Sequence, residues 1–394
     1  MQYRNDKYGH PLSILGYGCM RFSRKGGAID VEKTEKEIMA AFRAGVNYYD
    51  TAYIYPGSEA ALGQIVARNG IRDQICIATK LPQYLIQKRN AIDRYFDEQL
   101  RRLKTDYIDY YLMHQLTDFA QWEKLGDLGI REWIAEKKAA GQIRNIGFSY
   151  HGDSDRFLKI LGDYDWDFCQ IQYNYKDEHT QAGVTGLKAA AAKGIPVIIM
   201  EPLRGGRLVT QLPAQAKKAI ADYPEKRSAA AWALRWLWDQ PEVTCVLSGM
   251  NSPKMIVENI RIASKAEPGQ FTEEDFALVD QVKTIIRERE KVPCTGCRYC
   301  MPCPKGVDIP TNFYYYNLMY LEEKKGRARF EFARNMGLQK EPAFASQCIG
   351  CGKCEQHCPQ HISIREKLKE ADRELRPLPV KAALTVVRKV TGRG

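Results

Sequence analysis

The twelve cysteines are spread unevenly over the 394 residues: eight of them fall between Cys294 and Cys358, in two groups of four. The first group is Cys294, Cys297, Cys300 and Cys303, followed by Pro304. The second is Cys348, Cys351, Cys354 and Cys358, followed by Pro359. Three thiolates at every third position wrap a short loop, so that their sulfurs reach three corners of an iron–sulfur cubane. A cysteine from the other group supplies the fourth corner. Structural zinc also takes four thiolates, but usually from two separated C-x2-C pairs. Here each group carries four cysteines and a proline, which favours two [4Fe–4S] clusters over zinc. Cys19, Cys76, Cys169 and Cys245 are scattered along apolar runs and read as small packing residues.

A second set of side chains could move protons. Asp50, Tyr55, Lys80 and His114 lie at or just after the ends of short apolar runs. Reducing a carbonyl builds negative charge on oxygen and needs a proton donor with electrostatic support. A tyrosine hydroxyl, which ordinarily titrates near ~10, is a poor acid at neutral pH. A lysine ammonium beside it lowers that value, an aspartate holds the lysine charged and in place, and a histidine polarises the carbonyl. Taken singly, each of the four is as easily a rim ion pair or a packing residue.

The elements that must bring them together repeat about every thirty residues. Apolar runs at Ile14–Tyr17, Val46–Tyr49, Ile75–Ala78, Tyr107–Met113, Ile143–Phe148, Phe168–Ile171, Pro196–Met200 and Val243–Leu247 alternate with amphipathic stretches such as Glu32–Ala44, Ile92–Leu103 and Ile130–Ala140. Eight strands alternating with helices predict an α/β protein, a (β/α)8 TIM barrel. An open doubly wound sheet is the rival, but the run Leu15–Arg21 lacks the third glycine of a dinucleotide fingerprint. In a barrel the reactive groups sit at the carboxyl ends of the strands, where Asp50, Lys80 and His114 fall. The expected organisation is a barrel over 1–270, a connecting helix over 271–291, a small and mainly helical dicluster ferredoxin-like domain over 292–365, and a basic tail over 366–394.

In Asp50–Glu59, Ala78–Lys80 and Leu112–His114 the chain resembles the aldo-keto reductase family. The resemblance continues through Ile146–Ser149, Gln170–Asn174 and Glu258–Asn259. It implies that Tyr55 is the acid, that Lys80 and Asp50 tune it, and that His114 orients the substrate. It also implies NADPH or NADH across the barrel mouth, with Ser149 and Gln170 on the nicotinamide amide, Ser248, Gly249, Met250 and Lys254 at the phosphates, and Glu258 and Asn259 at the adenine. The aromatic residue that usually stacks on the nicotinamide is replaced in Met200-Glu201-Pro202-Leu203, leaving Tyr150 as a candidate stacking face. In the cysteine-rich part, resemblance to dicluster ferredoxin modules implies Cys294, Cys297, Cys300 and Cys358 on one cluster. It gives Cys348, Cys351, Cys354 and Cys303 to the other. No flavin fingerprint is visible, although flavin is the usual converter between hydride and single electrons.

Composition bounds the remaining choices. The formal charge is +11, from 59 Lys and Arg against 48 Asp and Glu, and two clusters would lower it by roughly four. Acidic residues interrupt the basic ones throughout, so no nucleic-acid stripe is expected. No apolar run is long enough to span a membrane and Met1–Lys7 is not the start of a signal peptide, which points to the cytoplasm and away from membranes. The expected partners are a small carbonyl or alcohol substrate and a ferredoxin or flavoprotein that exchanges electrons. Phe22, Tyr53, Tyr84 and Tyr150 are the expected substrate-pocket aromatics. The alternative is a redox-sensing regulatory or electron-transfer subunit that keeps the barrel without carbonyl turnover.

Overall fold

A computed structural model describes residues 1–321 and 325–390; the last four residues of the expected tail, 391–394, lie outside the described set. Eight parallel strands close into a barrel: β1 Leu15–Gly18, β2 Tyr48–Asp50, β3 Cys76–Leu81, β4 Ile108–Leu116, β5 Ile143–Tyr150, β6 Phe168–Gln172, β7 Val197–Met200 and β8 Val243–Ser248. Each pairs with its neighbours in sequence, and β8 closes on β1. Two short antiparallel hairpins, at residues 3–13 and 24–29, precede the first long helix.

The two-residue period of a strand decides what faces inward. Tyr48, Ala78, Tyr110, Leu112, Phe168, Ile198, Cys245 and Leu247 fill the barrel interior as one apolar cluster. One step of two residues further along the same strands come Asp50, Lys80, His114, Gln170 and Met200, so these face inward at the carboxyl rim. Gly147 makes room for this filling: a Cβ there would lie 2.5 Å from the Phe168 carbonyl and 2.7 Å from its ring. Thr79, of opposite parity, turns to the helix layer and donates to Glu59 at 2.6 Å.

The chain divides into two compact units, residues 1–202 with 233–271, and residues 203–232 with 272–394. The second contains the helices Ala214–Asp222, Glu273–Arg289, Ile309–Leu321, Lys325–Phe332, Ile364–Leu375 and Leu378–Val390. Thr272 and Asp275 form a capping box at the start of the Glu273 helix, satisfying backbone N–H groups that its first turn leaves free. The core of this unit is Val292, Val307, Ile309, Phe313, Tyr316, Met319, Phe332 and Leu368 with their neighbours, and the cysteine loops pack on it. The segment 203–232 joins it through Arg204, whose guanidinium meets Glu290 at 2.7 Å and the Pro293 carbonyl at 2.9 Å, and through Arg207, which donates to the Cys294 carbonyl. Tail helix Leu378–Val390 seats Leu384 over Gly337, and Arg388 donates to the carbonyls of Gly337 and Gln339.

Candidate active site and cluster-binding loops

Asp50 and Lys80, brought together by the pairing of β2 with β3, form a buried ion pair, 4 % and 1 % exposed. Lys80 Nζ donates to both Asp50 oxygens, at 2.7 and 2.6 Å, and to the Thr51 carbonyl at 2.7 Å. All three ammonium hydrogens are thereby used. Tyr55 lies in the loop between β2 and the helix Ser58–Asn69, fixed by backbone hydrogen bonds to Ala52 and from Ser58. The Lys80 ammonium stands 5.5 Å from the centre of its ring. His114 faces the same ring edge-on, with ring centres 6.1 Å apart.

A register shift aims His114. The pairing of β4 with β5 slips between Met113 and Leu116, and Gln115 takes a positive φ of 58° there. Such an irregularity re-aims one side chain without ending the strand. Gln115 N–H donates to Ser149 Oγ at 2.8 Å, locking the kink to β5.

The electrostatics differ from the sequence expectation in one respect. Burial pushes the Tyr55 hydroxyl well above its ordinary value, and the negative charges of Asp50 and Glu201 push it further. The net shift is upward because burial and these carboxylates outweigh the field of the Lys80 ammonium, whose hydrogens are taken by Asp50 and Thr51. The phenol is therefore held protonated, the form that can give a proton. His114 is driven well below its usual value by burial, then by Lys80 and His151, so it is a neutral imidazole. Its buried Nδ1 meets no hydrogen-bond partner among the described residues.

Of the expected nicotinamide contacts, Ser149 and Gln170 are direct neighbours across β5 and β6, and Gln170 Oε1 is buried without a hydrogen-bond partner among the described residues. That orphaned acceptor fits an amide donor of a bound nicotinamide. Gln170 Nε2 lies 3.6 Å from the Met200 sulfur. Ser248 ends β8 and accepts from Asn259 at 2.9 Å. Gly249 packs against the Arg21 side chain. The helix Pro253–Ala263, capped by Ser252, starts just beyond, with Lys254 exposed in its first turn and Glu258 partly exposed. An N-terminus after the last barrel strand is suited to phosphate. Met250 is buried, its carbonyl taken by the Tyr17 hydroxyl.

Three of the four expected pocket aromatics are committed elsewhere. Tyr150 has the parity opposite to Ser149, so it faces the helices, packs on Phe157 and donates to the Asp153 carbonyl; it offers no stacking face to the barrel mouth. Tyr53 turns to the helix Asn90–Leu103, where it donates to Glu98 at 2.8 Å. Phe22 is buried against Tyr17. Tyr84, 43 % exposed, contributes to the field at Tyr55. Two residues were missed: Glu201, just past β7 with φ 53°, and His151, just past β5. The rule that polar residues at carboxyl ends are informative would have found both.

In the second unit, Cys294, Cys297, Cys300 and Cys358 line one small cavity, closed by Ile309, Phe313, Ile362 and Ile364. Four thiols around a space, with apolar walls, suit a cubane. Among the described residues no three His, Cys, Asp or Glu side chains converge on a point as the ligands of a single ion would. Cys348, Cys351 and Cys354 form the second loop, with Cys351 exposed and Cys348 and Cys354 half-buried. No helix of the described residues is long and apolar enough to cross a membrane.

Comparison with known proteins agrees with this fold. The sequence profile of the Aldo/keto reductase family matches residues 14–284, and that of a 4Fe-4S dicluster domain matches residues 293–362. L-galactose dehydrogenase of Arabidopsis thaliana is 26% identical over 302 residues, 71% of this chain and 93% of its own length. The NADH-specific methylglyoxal reductase of Escherichia coli is 25% identical, over 63% of this chain and 89% of its own length. The holo form of the aldo-keto reductase AKR11C1 from Bacillus halodurans superposes with a TM-score of 0.58 at 24% identity, covering 72% of this chain and 96% of that one. With the barrel closed, its rim assembled and most of the chain matched, the protein belongs to the aldo/keto reductase family and carries a C-terminal 4Fe-4S dicluster domain.

Proposed function

We propose that the protein interconverts a small carbonyl compound and its alcohol at the barrel mouth, using NADPH or NADH, and exchanges electrons through two [4Fe–4S] clusters in its C-terminal unit. The observation that carries the first half is the buried Lys80–Asp50 pair with the Tyr55 and His114 rings gathered beside it at the barrel rim. When bound, the nicotinamide supplies or accepts hydride. Gln170 and Ser149 would hold its amide, and the Ser252-capped helix start its phosphates. Tyr55 gives its hydroxyl proton to the oxygen that gains charge, and a neutral His114 can donate a hydrogen bond to the same oxygen. The Lys80 ammonium, fixed by Asp50, faces the phenolate that Tyr55 becomes and stabilises it. Burial of the pair excludes water from that charge.

For the clusters, Cys294, Cys297, Cys300 and Cys358 would hold the inner one and Cys348, Cys351, Cys354 and Cys303 the outer. The test of the barrel chemistry is Tyr55→Phe. It is expected to lower kcat for carbonyl reduction by roughly a hundredfold or more while the dissociation constant for NAD(P)H stays within about twofold. Near-normal turnover by the variant would remove Tyr55 as the acid.

A further inference from the structure

The two cysteine groups are unequally buried. Cys294 of the first lies 8 % exposed, beside a fully buried Val292 and Ile309. In the second, Cys351 is exposed and the neighbouring Ile349 is 62 % exposed, a large apolar side chain left in water next to two ligand positions. Electron transfer between proteins weakens steeply with distance, so the outer group is where electrons from another protein would enter.

Cys348 and Gly350 also form one wall of a groove of about 1280 Å³, whose other walls are the helix Ile364–Leu375 and the start of the tail helix. Five cationic side chains line it against three carboxylates. Two of the carboxylates are already spoken for: Glu355 by Arg365 at 2.9 Å, and Asp372 by Arg376 at 2.5 Å and Lys381 at 3.5 Å. Lys369 and Arg373, both exposed on the Ile364–Leu375 helix, remain as the cations that no such pair neutralises. The Ile364–Leu375 helix as a whole carries four cations and four carboxylates, and Glu366 is the groove carboxylate outside these pairs. Along the groove itself the surplus is still positive, and it sits beside the exposed cysteine loop.

We infer that this groove is the docking surface for a small acidic iron–sulfur electron-carrier protein, with Lys369 and Arg373 as the steering cations and the exposed Ile349 of the adjoining cysteine loop as an apolar contact at its edge. This rests on the proposed cluster content of the C-terminal unit. A four-thiolate cluster is an anion, and by itself it would repel a carboxylate-rich carrier. The basic groove reverses that repulsion, orients the carrier and raises its encounter rate. In each encounter one electron leaves the reduced carrier and enters the oxidised outer cluster. The carrier is oxidised by one electron, the outer cluster is reduced by one, and no bond or proton changes hands.

The experiment uses the full-length, cluster-loaded protein under anaerobic conditions, with a reduced acidic [2Fe–2S] ferredoxin as the probe. Rapid-freeze EPR separates the carrier's signal from that of a reduced [4Fe–4S] cluster. The second-order rate is expected to fall by about tenfold between low and high salt, and by about tenfold at low salt in the Lys369→Glu, Arg373→Glu double variant, whose residual rate should be nearly salt-independent. Reduced methyl viologen, a small cation, should reduce the wild type and the variant at least equally fast. Failure of viologen to reduce either protein would overturn the cluster reading itself. Normal viologen reduction with a flat salt profile, or with an unchanged variant, would overturn the docking surface alone. Binding of the wild type, but not the variant, to anionic vesicles, with carrier rates unaffected, would reassign the groove to a membrane surface and overturn the inference.

Discussion

Lys80 spends its three hydrogens on Asp50 and Thr51, so it influences Tyr55 through its field and not through a hydrogen bond. Asp50 is then the group that decides how much of that field reaches the phenol. Asp50→Asn removes a charge that pushes Tyr55 up, so the Tyr55 value should drop. The alkaline limb of kcat/KM for carbonyl reduction should then move to lower pH, which a pH profile measures. His151 gives a second residue-scale expectation. It is 1 % exposed, and burial lowers it to about 4, whereas an unfolded histidine titrates near ~6.5. Below pH ~6.5 the unfolded chain takes up a proton that the folded one refuses, so stability falls as pH falls, until about pH 4. That loss is about 2 kcal/mol between pH 7 and pH 5, with His114 acting in the same direction. Urea unfolding at the two pH values should show it, and His151→Asn should remove about that much of the difference.

Among the elements, the helix after Tyr55 is held by close approach. Gly63 lies where a Cβ would come within 2.4 Å of the Arg102 carbonyl and 2.6 Å of Leu103 Cα on the Asn90–Leu103 helix. Those are backbone atoms, which cannot swing aside as a flexible side chain would. Gly63→Ala is expected to destabilise the barrel by about 2 kcal/mol or more through forced helix separation, read as a lowered denaturant midpoint with an unchanged slope. The tail helix illustrates how an amphipathic pattern leaves its partner undefined. Val380, Leu384, Val387 and Val390 have helical spacing, which by itself fits packing on the chain's own barrel or docking on an acidic redox partner or a membrane surface. The structure seats Leu384 on Gly337 of the C-terminal unit, while Val387 stays 41 % exposed.

For the whole molecule, two cubanes require about eight iron and eight sulfide per chain. Anaerobically isolated protein should contain them, and Cys297→Ser should lower both counts; stoichiometric zinc in colourless protein would contradict the cluster assignment. Nicotinamides give up two electrons together as hydride, whereas each cluster takes one. Without a flavin to convert between them, NAD(P)H alone should leave the clusters of flavin-free protein oxidised on the timescale of turnover. Mixing the two anaerobically and following the brown absorbance checks this. Bleaching within one turnover would reveal a direct route.

The barrel and the dicluster domain were legible from the sequence because both write their geometry locally. A strand–helix period of about thirty residues and thiols at every third position are patterns a few residues long, and the types Asp50, Tyr55, Lys80 and His114 are tied to strand ends by the same period. What tertiary structure alone decided depends on groups distant in the chain. Tyr150 left the barrel mouth because strand parity, set by the pairing of β5 with its neighbours, turned it toward Phe157. The direction in which Tyr55 shifts followed from burial and from Glu201, a carboxylate 146 positions away that composition gave no reason to place beside it. Lys80 was expected to lower the phenol's value; in the folded chain burial and the charges of Asp50 and Glu201 outweigh its field. Burial and charge balance are sums over neighbours, and only the folded chain determines which neighbours those are.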